Sequence, residues 1–153
     1  MKAIYSEVEN TGIDARREAL AHICRRFHVA TLYAFGSRAD EAAAWMAGEE
    51  RTFEHGSSDL DVGVRPIPGK SLLVEKKVRL GIVLEDLFGV GRVDVVCLPE
   101  ADPFLAANVV RGERLYARDE YEADEYDLYV LRRAGDLAPL ERERIALILR
   151  EKP

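Results

Sequence analysis

Three aspartates and a glycine-serine pair are the residues of this sequence whose types and spacing could do chemistry. Asp59 and Asp61 stand two apart at the start of one apolar run, Asp94 interrupts a second, and Gly36-Ser37 ends a third. Side chains two apart on a strand share a face, so Asp59 and Asp61 project together about 6.5 Å apart along the backbone. A lone carboxylate such as Asp94 in an apolar strand is expensive unless something answers its charge. If the strands carrying Asp61 and Asp94 are neighbours, three carboxylates converge, and each pair repels by roughly 4 kcal/mol at 4 Å and an effective dielectric of 20. Arg92 and Arg65 each supply one cation. A hard divalent cation answers the set better, and all-oxygen ligation points to magnesium. A plainer arrangement stays open at this point: Asp59 caps a turn, Asp61 faces solvent and Asp94 pairs with Arg92.

A glycine followed by serine between a strand and a helix leaves backbone N–H groups and a hydroxyl to hold phosphate oxygens, and Arg38 adds charge there. The pair is not a P-loop, since the second glycine and the lysine are absent. Gly89-x-Gly91 precedes a strand, so it is no dinucleotide fingerprint either.

The elements that must position these residues follow from periodicity. Thr11 and Asp14 have capping-box spacing, and Leu20, Ile23, Cys24 and Phe27 form one face of a helix expected over residues 12–27. Residues 30–35 read as a buried strand ending at Gly36, residues 39–47 as helix-favouring, and the segment up to Ser58 as a polar loop. Residues 60–64 form a second strand, stopped by Arg65-Pro66. Residues 71–88 form a helix with Leu73, Lys77, Leu80, Leu84 and Leu87 on one face, ended by Gly89. Residues 93–98 are a third strand. Asp102-Pro103 opens a helix that Gly112 closes, Leu115-Tyr116 is a short edge strand, and two helices follow over about 121–133 and 139–150. The sum is an α/β (α+β) domain, a small mixed sheet flanked by helices.

At 153 residues the length fits one domain. With 48% hydrophobic and 33% charged residues it can build a core, which excludes a disordered chain. The net charge of -6 disfavours nonspecific binding to a phosphate backbone, so no direct nucleic-acid partner is expected. Cys24 and Cys97 lie far apart in apolar surroundings and read as core, not as a disulfide or zinc site. No apolar run has the length of a signal peptide core or of a membrane span, and the expected compartment is the cytoplasm.

Together, Phe35-Gly36-Ser37-Arg38-Ala39, Ser58-Asp59-Leu60-Asp61-Val62-Gly63-Val64 and Val93-Asp94-Val95-Val96 resemble the nucleotidyltransferase superfamily typified by DNA polymerase β, in its minimal form. Asn108 to Tyr116 is similar to the end of such minimal domains, so the resemblance covers a core of about residues 13–118, with a helical extension over about 119–150. The resemblance implies transfer of a nucleotide from a nucleoside triphosphate to a hydroxyl with release of pyrophosphate. Two magnesium ions would be held by Asp59, Asp61 and Asp94, with Asp94 receiving the acceptor proton. Gly36, Ser37 and Arg38 would hold the β and γ phosphates.

Free-standing proteins of this kind resemble antitoxins paired with a HEPN-domain ribonuclease toxin, and that likeness implies transfer of AMP from ATP to a tyrosine of the toxin. A nucleotidyltransferase acting on a small molecule such as an aminoglycoside, and a non-catalytic antitoxin that occludes its toxin, are the alternatives. The acidic, tyrosine-bearing run from Asp119 to Asp127 is either a surface for a basic partner or the solvated side of a helix docked on its own domain. One departure stands out: the spacer between Ser37 and Asp59 is longer than in minimal domains, and the excess, residues 42–53 with Trp45, is expected to be inert surface or to face a partner.

Overall fold

The structure is a computed structural model that describes residues 2–49 and 59–150. Its elements in order are α1 (Lys2–Arg26), β1 (Val29–Phe35), a 3-10 turn (Gly36–Arg38), α2 (Ala39–Met46), β2 (Leu60–Pro66), α3 (Val74–Phe88), β3 (Val93–Cys97), a second 3-10 turn (Leu98–Glu100), α4 (Pro103–Val110), β4 (Glu113–Ala117) and α5 (Glu120–Arg150). The strands form one mixed sheet in the order β3-β2-β1-β4. β1 runs antiparallel to both β2 and β4, and β2 is parallel to β3, joined to it by the α3 crossover.

Alternation along the strands divides the core in two. Leu32 and Ala34 of β1, with Leu60, Val62 and Val64 of β2, turn to one face, where they meet Leu20 and Cys24 of α1, Ala42 and Met46 of α2, and Leu80 and Leu84 of α3. Tyr33 and Phe35 turn to the other face, against Ala106 and Val109 of α4 and Val130 and Ala134 of α5. Each fully buried Leu or Val contributes roughly 1.5 to 3 kcal/mol. Gly63 is the contact point on this second face. A Cβ there would lie 2.2 Å from Val109 Cγ1, so the absent side chain is what lets α4 lie on β2.

Several local signals are realised. The Asp102 carboxylate accepts from the Phe104 and Leu105 N–H groups, and Pro103 takes the first helical position. Gly89 ends α3 at φ 70°. β4 lies at the sheet border, and both cysteines are buried.

Other expectations are corrected. α1 begins at Lys2, ten residues before the expected start, because nothing in Lys2 to Thr11 breaks a helix and one interior glycine, Gly12, costs only about 1 kcal/mol. The second strand runs through Arg65 to Pro66. α3 begins at Val74 and buries Leu80, Gly81, Leu84 and Phe88, while Leu73 is exposed and Lys77 pairs with Glu100 at 3.3 Å. The two expected C-terminal helices are one, α5, with Pro139 inside it. Proline fixes φ at a helical value and removes a single hydrogen bond, so it weakens the helix without forcing it to end.

The long spacer is corrected as well. Its described first part is α2, whose Ala42 and Met46 are buried. The Trp45 ring packs 5.1 Å from Phe88, under the Arg16 guanidinium at 4.6 Å. The ring is partly buried and packs against the core, so this part of the spacer is not inert surface. Residues 50–53, like His55 and Ser58, lie outside the described residues.

Candidate active site

Asp61 and Asp94 are direct partners in the parallel ladder of β2 and β3. Partners in register point to the same side of a sheet, here the α4 and α5 face. Asp59, two residues before Asp61 and half-buried, belongs to the same side. The sequence expectation that neighbouring strands bring these carboxylates together therefore holds in the backbone. Phe35 pairs with Asp61 across β1 and β2, so the chain leaves β1 and enters the Gly36–Arg38 turn beside that carboxylate.

The turn is fitted to Asp61. Gly36 has φ 74°, and a Cβ built on it would stand 2.6 Å from Asp61 Oδ2. Glycine is required there twice over, by backbone conformation and by the carboxylate that occupies the space. Gly36 and Ser37 are exposed, whereas Arg38 is buried and its guanidinium lies 3.3 Å from Glu41 Oε2. The expected extra charge at the turn is therefore already shared with a carboxylate.

Electrostatically the three acids are under-compensated. Burial, then the charges of Asp94 and Asp59, raise the Asp61 pKa above its ordinary value. Arg92 reaches Asp94 Oδ1 at 3.3 Å and Asp59 Oδ2 at 3.6 Å through the same Nε. Its side chain is 69% exposed, so the attraction is weak and screened. The plainer pairing of Asp94 with Arg92 is thus present, and it spans two of the acids. As positioned, no three His, Cys, Asp or Glu side chains among the described residues are gathered at metal-binding distance. The donor set still suits a hard divalent cation: oxygen ligands on one sheet face, with Asp61 perturbed by its two neighbours.

The other sequence candidates lie elsewhere. Arg65 stacks 4.1 Å over the Tyr126 ring and reaches Glu122 at 3.4 Å. His22 and His28 are exposed, and His28 sits past the end of α1 at φ 55°. Tyr33 is buried, and its hydroxyl donates to Asp127 Oδ1. Burial and that hydrogen bond push the Tyr33 hydroxyl well above its ordinary pKa.

The acidic run of α5 is largely answered inside the domain. Arg114 of β4 meets Glu120 and Asp124 at 2.8 Å and Asp127 at 3.1 Å, and Arg118 meets Glu122 at 3.0 Å. Asp119 Oδ1 accepts from the Glu122 N–H at 2.8 Å. Docking on its own domain supplies partners for most of these charges, while Glu120 and Asp124 stay exposed. Sequence reasoning missed the Arg114 cluster and the bridging role of Arg92; the one available signal was the placement of Arg92 two residues before Asp94.

No protein-family model and no curated protein matches the sequence. Among solved structures, a chain of a toxin-antitoxin complex with AMP-PNP aligns at 18% identity and a TM-score of 0.65, covering 87% of this chain and 98% of that one. A chain from a tri-AMPylated Shewanella oneidensis HEPN toxin in complex with MNT antitoxin aligns at 16% identity and a TM-score of 0.63, covering 90% of this chain and 98% of that one. A third, assigned provisionally as a minimal nucleotidyltransferase, is 36% identical over 65% of this chain and 88% of its own, with a TM-score of 0.46. No described helix is long and apolar enough to cross a membrane. The mixed sheet, its crossover and its flanking helices are the nucleotidyltransferase fold that this chain shares with chains of MntA-HepT toxin-antitoxin complexes.

Proposed function

We propose that the protein is a magnesium-dependent nucleotidyltransferase that moves AMP from ATP to a hydroxyl, a tyrosine of a cognate HEPN-type ribonuclease toxin, and so acts as its antitoxin. The observation that carries the reading is the registered pair Asp61 and Asp94, with Gly36 closed against Asp61. A shared face, mutual charge and an exposed glycine-serine turn are what a triphosphate site needs. The AMP-PNP in one neighbouring complex and the AMPylated HEPN toxin in another support the choice of nucleotide and of acceptor class.

Asp59, Asp61 and Asp94 would hold the magnesium ions, which supply positive charge against the triphosphate. The exposed Gly36-Ser37 turn presents backbone N–H groups and a hydroxyl to the β and γ phosphates, and Arg38 stands behind it. Asp94 accepts the proton of the acceptor hydroxyl as its oxygen forms a bond to the α-phosphorus. The bond from the α-phosphorus to its bridging oxygen breaks, and pyrophosphate carries that electron pair away. Arg92 must leave Asp59 and Asp94 when the site fills; at 69% side-chain exposure it moves at little cost.

The test is intact mass spectrometry of a co-expressed HEPN-domain protein encoded beside this one. Addition of one or more AMP units, dependent on ATP and magnesium, is the expected result. Absence of any adduct, with the toxin still neutralised by an Asp59→Ala/Asp61→Ala variant, would replace the enzymatic reading with occlusion.

A further inference from the structure

β3, the strand that carries Asp94, is at the border of the sheet. The Leu60 N–H bonds to the Arg92 carbonyl at 3.1 Å. By alternation, Arg92, Asp94 and Val96 turn their backbone groups toward β2, and Val93, Val95 and Cys97 turn theirs outward. The outward Val93 N–H is taken by Glu85 Oε1 at 3.2 Å. Next to it α3 comes close, since a Cβ on Gly81 would lie 3.4 Å from the Val93 carbonyl oxygen. Beyond Val93 the edge continues at Val95.

Alongside this edge, α3 shows an apolar stripe to solvent. Val74, Val78 and Ile82 recur every four residues, and Val78 and Ile82 are 57% and 52% exposed. The stripe from Val74 to Ile82 is about 12 Å long at 1.5 Å per residue, the length of about four residues of extended strand. Between stripe and edge lies a groove of about 360 Å³, lined by Val74, Val78, Ile82 and Val95 and reaching Arg92 and Asp94. Contiguous apolar surface of this kind marks an interaction site, and an open strand edge is a template for pairing.

We propose that this groove is the docking site of the protein acceptor, which adds an extended segment to the outer edge of β3 and seats alternate apolar side chains against Val78 and Ile82. The occupant is set by continuity: the groove reaches Asp94 on the border strand, and a segment paired along that strand turns every second side chain to the face that carries the carboxylate assigned to receive the acceptor proton. Main-chain hydrogen bonds give such an addition its affinity, and pockets for alternate side chains give its specificity. The inference rests on the reading of a protein acceptor, and it makes α3, not the acidic run of α5, the surface that selects it.

The experiment separates docking from chemistry. Val78→Arg and Ile82→Arg change exposed side chains of α3 and none of the three carboxylates, and melting curves that match the wild type with and without ATP and magnesium would show that fold and nucleotide binding are intact. Binding of the HEPN-domain protein is expected to weaken by about tenfold or more in each variant. In the wild-type complex, hydrogen exchange at Val95 is expected to slow. Wild-type binding lost in the arginine variants supports the docking site even if no AMP is transferred, which would fail only the enzymatic reading. Arginine variants that bind as the wild type does, or no binding by the wild-type protein, overturn the docking site.

Discussion

Two clusters of carboxylates among the described residues have different surroundings. On α5, Glu120, Asp124 and Asp127 converge on one arginine, Arg114, whose side chain is only 24% exposed. Asp127 also accepts from the buried Tyr33 hydroxyl, and Glu122 is shared between Arg118 and Arg65. At the other end of the same sheet face, Asp59 and Asp94 share the exposed Arg92, and Asp61 carries the repulsion of both. The first cluster is a clamp, fixing α5 across β1 and β4. On the reading proposed above, the second keeps its charge for a bound cation to answer. Acidity alone does not separate a structural cluster from a functional one; the number and burial of the cations that reach it does.

The largest expected effect tests the functional side. Asp61→Asn should lower AMP transfer by at least about 100-fold. The same variant should melt about 2 °C higher at neutral pH, because it removes a repelled charge. The sign follows from the raised pKa of Asp61. The proton taken up on folding contributes stability that is fully present below the ordinary value of 3.8 and is lost as pH rises through the raised value. The stabilisation by Asn should therefore vanish at acid pH and be complete at neutral pH. Equal melting temperatures at pH 7 would mean that the acids do not strain the fold.

Next comes the clamp. Arg114→Ala leaves three carboxylates facing one another, and a loss of about 1 to 3 kcal/mol is expected in urea unfolding. A loss below about 0.5 kcal/mol would make the two clusters alike. Gly36→Ala sets a methyl group against Asp61 in a backbone region that side chains avoid, so a cost of about 1 kcal/mol and a fall in transfer of about tenfold should appear together. Smallest is Arg92→Ala, which should change stability by no more than about 0.5 kcal/mol, as for other exposed pairs. A larger loss would mean that Arg92 clamps its acids as Arg114 does.

These contrasts also show what the sequence could reveal. Strand runs, the Asp102-Pro103 helix start and the Gly36-Ser37 turn are written in adjacent residues, so they are legible directly. Asp59, Asp61 and Asp94 are legible as a set because a parallel pair joined by a helix has few possible registers. The partners of the α5 acids are not, since Arg114 and Arg65 come from separate strands and reach α5 only after the sheet has formed. The packing of Trp45 is illegible for the same reason: it depends on Phe88, on a different helix. Pro139 carries the average helix-ending propensity of proline, which the continuous α5 overrides.

The mixed order of the sheet has a consequence for how the protein matures. β1 and β2 are antiparallel neighbours, and their pairing sets Gly36 against Asp61. Asp94 joins them only after the whole α3 crossover has been laid down and β3 has docked in parallel. The two connections are of similar length, but parallel pairing through a helical crossover is intrinsically slow, so β3 should be among the later strands to add. A chain caught between the two steps would hold Asp59 and Asp61 in place without Asp94. In refolding experiments, recovery of transfer should then lag behind pairing of β1 with β2, which would make activity a clock for the docking of β3.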